Sequence, residues 1–179
     1  MGIVALSINS LFMDRTSKES RAQVFELIEK RQEQAERGEA PPIFVFPEGS
    51  TSNGKCLLTF KSGAFSSLKP VKPFINRTIS PRISQAMGSV LNLWHWTFVI
   101  PFQAITYKSE NLEMPVFAPN EYFWKNHWDG KDPKMKWKVF AEAVRQAMAE
   151  CGGFELSDSS MDDKLDYKNL IWGKGGKDV

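Results

Sequence analysis

The chain has 179 residues, 42% hydrophobic and 25% charged, which suits one folded domain or one domain with an appendage and gives enough length for a real core. Its 23 basic and 21 acidic side chains nearly cancel, so no electrostatic footprint for nucleic acid is present. The two cysteines, Cys56 and Cys151, lie far apart and match no metal-ligand spacing, so they read as reduced thiols and no metal is implied.

The opening residues, Met1 to Arg15, carry neither a basic leader nor a signal-length apolar stretch, and nowhere do ~18 apolar residues run together. Thr16 followed by Glu19 forms a capping box, and the spacing predicts a helix through Val24, Leu27, Ile28 and Gln32 that stops at Gly38. After the connector Glu39 to Pro42, the apolar run Ile43 to Phe46 is expected to be a buried strand. It ends in Phe46-Pro47-Glu48-Gly49-Ser50-Thr51-Ser52-Asn53-Gly54. Gly and Asn suit a turn, but a carboxylate at the mouth of an apolar strand is more than a turn needs.

Leu57 to Phe65 is apolar enough to be buried, with a short helix expected near Gly63, and Pro70 to Ile75 reads as an edge strand. Thr78 to Gly88 reads as a polar loop. Val90 to Phe102, aromatic but too short to span a bilayer, is either a buried helix or a membrane-interface segment. Ala104 to Tyr107 and Leu112 to Phe117 can each supply a strand. A final helix is signposted by Asp132 as cap, Pro133 in the first turn, Trp137, Phe140, Ala141, Val144 and Met148 on one face, and Gly152-Gly153 at the close. Residues 155–179 read as a polar tail that Leu165, Tyr167, Leu170, Ile171 and Trp172 could pin.

Four blocks in this order, Phe12-Met13-Asp14-Arg15, Phe46 to Gly54, Phe60-Lys61-Ser62-Gly63-Ala64-Phe65 and Pro70-Val71-Lys72-Pro73, resemble the glycerolipid acyltransferase family, closest to its lysophosphatidylcholine acyltransferase branch. The resemblance covers about residues 3 to 152. It implies an α/β fold, a single domain over 1–154 with a mixed β-sheet flanked by helices and truncated at its N-terminal side. It also implies transfer of an acyl group from acyl-CoA, as co-substrate rather than resident cofactor, to a lysophospholipid hydroxyl. Carried over, Arg15 meets the acceptor phosphate with its fork of donors, Glu48 orients the site through hydrogen bonds, and Gly49, Ser50 and Thr51 shape its wall. Ser52 and Asn53 stand where the phosphatidic-acid branch often has an arginine.

The family's His-x-x-x-x-Asp motif lies upstream of the arginine block, and here eleven residues precede Phe12, none of them histidine. That histidine would deprotonate the acceptor hydroxyl, a contribution of ~10² to 10⁴ in rate. His127 to Asp132 has the spacing but follows every other block, and Asp132 already serves as a helix cap; His95, between Trp94 and Trp96, has no aspartate at that interval. The expectation is therefore a phospholipid-binding, membrane-surface domain of endomembrane or mitochondrial membranes, inactive as this chain. The alternative is a pseudoenzyme serving as accessory subunit of a larger complex. A nucleotide-binding module fails on spacing, since Gly49 to Lys55 fits neither a P-loop nor a dinucleotide fingerprint.

Overall fold

The computed structural model describes residues 18–49, 52, 54–79 and 108–160, together with 163, 166, 167, 169 and 170. It divides into two compact units, Met1–Val45 and Phe46–Val179.

In the first unit, helix α1 spans Lys18–Glu36. Of its described side chains, Val24 and Ile28, one turn apart, are buried, whereas Leu27 is 46% exposed, so the apolar stripe there is narrower than the sequence pattern suggests. The helix ends as its glycine dictates: Gly38 takes φ 73° and donates to Ala35 O, and Glu39 N reaches back to Gln34 O. The capping residue Thr16 lies outside the described residues. Ile43 to Phe46 is not a strand. It carries no regular element, with Phe44 66% and Phe46 76% exposed, and an apolar run without a ladder among the described residues leaves coil.

In the second unit, β1 (Cys56–Leu57) pairs in parallel with β4 (Glu155–Leu156), and β2 (Phe74–Ile79) pairs antiparallel with β3 (Lys108–Glu113). Among the described residues, the expected mixed sheet is thus two separate two-stranded ladders. β2 begins at the predicted edge strand but runs through Thr78, where a polar loop was expected. β3 is earlier and more polar than the predicted strand at Leu112. Its register sets Asn76 opposite Asn111, whose side chains bond at 2.6 Å, while Lys72 pairs with Glu113 at 2.7 Å. Val71 bridges to Phe117. Ala104 to Tyr107 and Val90 to Phe102 lie outside the described residues.

Helix α2 (Glu121–His127) is capped by Asn120, whose side chain accepts from Phe123 N at 2.8 Å. A 3₁₀ turn, Pro133–Met135, leads into α3, Lys136–Gly152. Asp132 caps that turn by accepting from Lys134 N at 3.0 Å, and Gly153 closes α3 at φ 62°, as the sequence predicts. The buried face of α3 supplies Phe140, Ala141, Val144, Met148 and Ala149 to a core completed by Leu57, Phe60, Phe65, Ile75 and Phe123. Phe140 is 0% exposed and meets Phe65 edge-on at 5.4 Å and Phe123 at 6.2 Å.

The start of the tail is tied down rather than loose. Thr59 N donates to Ser159 O and Ser157 N to Leu57 O. Arg145, 3% exposed, donates from one guanidinium nitrogen to Leu57 O at 3.1 Å and Ser157 O at 2.6 Å, and from another to both Glu142 carboxylate oxygens at 3.0 Å. One buried guanidinium thus pins β1 and the chain after β4 to α3. Tyr167 and Leu170, two of the anticipated anchors, are 62% and 80% exposed.

Candidate functional site

The Phe46–Gly49 segment makes a tight turn in which Gly49 N donates to Phe46 O at 3.2 Å while Gly49 itself takes φ 69°. A side chain there would be disfavoured by Cβ crowding, so the glycine is a backbone requirement. The turn is fastened to the chain ten to fourteen residues on. Glu48 Oε2 accepts from Leu58 N at 3.3 Å, and Pro47 O accepts from Lys61 N at 2.8 Å. The Glu48 carboxylate is therefore aimed inward at the backbone that follows β1. Gly54, also left-handed at φ 74°, donates its N–H to Ser52 Oγ and brings the loop into β1.

Lys61 leads directly into the 3₁₀ turn Ser62–Ala64, whose end is closed by Phe65 N and Ser66 N on Ser62 O. Phe60 and Phe65 stack at 5.9 Å within the core. Leu68 N then donates to Phe65 O, and Leu68 adopts φ 55°, the non-glycine residue with positive φ among the described ones. That reversal delivers Pro70-Val71-Lys72-Pro73 to the Phe117 bridge. The Glu48 turn and the Lys61 to Phe65 turn are thus joined by the bond from Lys61 N to Pro47 O, and the Val71 segment follows along the chain.

Of the predicted site residues, Glu48 and Gly49 are placed here; Arg15, Ser50 and Thr51 lie outside the described residues. Among the described residues, no group of three or more His, Cys, Asp or Glu side chains could hold a metal. His127 is exposed at the end of α2 and stacks on Phe123 at 4.9 Å, while Asp132 is engaged as cap. Sequence reasoning missed Arg145, which holds Leu57 beside the backbone that Glu48 reaches. Its signal is invisible locally, since one arginine on an amphipathic helix normally faces solvent.

Residues 1–82 match the family model described as Acyltransferase. The lysophospholipid acyltransferase LPEAT1 of Arabidopsis thaliana is 31% identical over 175 residues, 97% of this chain and 41% of its own length. Lysophosphatidylcholine acyltransferase 2 of Homo sapiens is 32% identical over 168 residues, 91% of this chain and 28% of its own. Lysophosphatidylcholine acyltransferase 1 of Danio rerio is 32% identical over 169 residues, 90% of this chain and 29% of its own. No solved structure matches the chain.

The chain is similar to the acyltransferase family, by that family's model over residues 1–82 and by lysophospholipid acyltransferases over most of its length. Within it, the likeness runs to the lysophosphatidylcholine acyltransferase branch, as the block pattern implies. The chain spans less than half the length of these relatives. No described helix is long and apolar enough to cross a membrane.

Proposed function

We propose that this chain is the acceptor- and acyl-binding portion of a lysophospholipid acyltransferase, working at a membrane surface of the endomembrane or mitochondrial system. The observation that carries the reading is the fastening of the Glu48 turn to the Leu58 and Lys61 backbone, which sets two of the four family-like blocks side by side. In this reading Arg15 pairs with the acceptor phosphate. Glu48 acts as a positioning residue, fixing the loop whose wall is Gly49, Ser50 and Thr51.

The reaction joins the acceptor hydroxyl oxygen to the acyl carbonyl carbon of acyl-CoA, breaks the thioester C–S bond and releases the CoA thiolate. The hydroxyl proton must go to a base. The 179 residues hold no histidine ahead of Arg15 in the family's order, and His127 is remote in sequence from that position. The reading therefore assigns binding without turnover to this polypeptide by itself.

The binding half is tested by calorimetric titration of the full chain with lysophosphatidylcholine below its micelle concentration. Glu48→Ala is expected to weaken binding at least tenfold, and Glu48→Gln, which keeps an acceptor oxygen for Leu58 N, to restore most of it. Equal affinity for wild type and Glu48→Ala would reject the site.

A further inference from the structure

Away from the Glu48 turn, Lys136 sits against two indoles. Its ammonium lies 4.4 Å from the Trp124 ring centroid and 4.8 Å from that of Trp128. Trp124 turns its other side to the core, edge-on to Phe123 and Phe140. Trp128 stays half-buried at the end of α2, its backbone N–H on Trp124 O. Around this pair the surface is basic and apolar at once: Lys125, one turn before Trp128, and Lys134 are exposed, as is Met135 at 43%.

Over residues 121–138 five lysines stand against Glu121, Asp129 and Asp132. Two of those acids are already engaged, Asp129 by the Lys131 ammonium at 3.3 Å and Asp132 by Lys134 N. The surface that results combines indole faces, a flexible thioether and lysine stems whose heads reach outward.

We infer that this tryptophan–lysine surface, the end of α2 with the turn before α3, seats the domain on the headgroup layer of an anionic phospholipid membrane. Indoles and lysines favour that layer for complementary reasons: the ring's apolar body enters while its N–H stays wet, and the lysine stem lies along the boundary with its charge among the phosphates. An acidic peptide would satisfy the lysines but would leave the exposed Met135 without an apolar medium. The inference rests on the membrane-surface reading proposed above but not on the Glu48 site, since vesicle binding needs neither acyl-CoA nor turnover.

The test is co-sedimentation of the full 179-residue chain with phosphatidylcholine vesicles, with and without phosphatidylserine, at low and high salt. Wild type is expected to prefer the phosphatidylserine vesicles and to lose that preference as salt rises. The pair Lys125→Gln with Lys134→Gln should weaken binding roughly fivefold for each lysine, and Trp128→Ser should weaken it further. Both lysines are exposed, and circular dichroism verifies that the fold is kept. Unchanged vesicle binding by the lysine pair and by Trp128→Ser would overturn the inference, as would equal binding to neutral vesicles. Binding to polyglutamate with no binding to vesicles would also overturn it, in favour of an acidic protein partner. Loss of lysophosphatidylcholine binding in Glu48→Ala with vesicle binding intact would separate the two sites.

Discussion

Replacing Arg145 by Met probes the link between the core and the Glu48 turn. Methionine keeps the apolar stem but removes every donor. Leu57 O retains the Ser157 N–H at 3.0 Å, so Ser157 O bears most of the loss, having received its 2.6 Å bond from the guanidinium. Hydrogen bonds from a charged donor contribute about 1.5–3 kcal/mol each. Against this, the guanidinium no longer has to be buried, and its Nε–H, buried without a partner, is relieved. Glu142, 44% exposed, returns to water at little cost. The balance is a loss of about 2–4 kcal/mol, or roughly 4–16 °C in melting temperature at this chain length. Urea unfolding followed by tryptophan fluorescence measures it, and Glu142→Ala should cost less than about 1 kcal/mol. Because Leu57 precedes the residue whose N–H meets Glu48, Arg145→Met should also weaken lysophosphatidylcholine binding. An Arg145→Met variant as stable as wild type would refute the reasoning, since it would mean that a hydrophobe replaces the brace without loss.

Three further outcomes follow from local geometry. At Leu68, φ 55° disfavours a β-branched residue most strongly, so Leu68→Val should be less stable than Leu68→Gly by about 1 kcal/mol although it keeps more apolar surface; the reverse order in thermal melts would dismiss the backbone argument. Asp132→Ala should lower stability by about 1 kcal/mol through loss of the cap while leaving lysophosphatidylcholine affinity unchanged, and a change in affinity would show that Asp132 does more than cap. The Ser160 N–H, and after it the Ser160 hydroxyl, hold the Asp163 carboxyl below the usual aspartate range. Its folded pKa is depressed, so its contribution is present above the unfolded aspartate value and is lost as pH falls through the folded one. In an NMR titration, Ser160→Ala should move the Asp163 midpoint part of the way up, because the backbone donor remains; an unmoved midpoint would remove the hydroxyl from the explanation.

The elements legible in the sequence were those whose ends are set by local chemistry. Asp132, Pro133 and Gly153 punctuate α3, and Gly38 ends α1, because caps and left-handed glycines act within a turn of themselves. The family blocks were legible too, and the contacts of Pro47 with Lys61 and of Glu48 with Leu58 place two of them side by side. What failed was non-local. Ile43 to Phe46 has strand composition, but composition supplies no partner. β3 has a polar sequence, and its pairing comes from β2, distant along the chain, through contacts such as Asn76 with Asn111. Helix α2 hid behind its aromatic density, although Asn120 ahead of Glu121 was a usable start signal. Arg145 could not be found from its own helix because its acceptors, Leu57 O and Ser157 O, lie on other segments.

The account is tested most directly by incubating the purified chain with radiolabelled acyl-CoA and lysophosphatidylcholine in detergent and following labelled diacyl product and free CoA together. It predicts that the acceptor binds, in a Glu48-dependent way, while product stays at the level of the enzyme-free blank. Sustained turnover by these 179 residues would contradict it, because some group within them would then have to take the proton from the attacking hydroxyl.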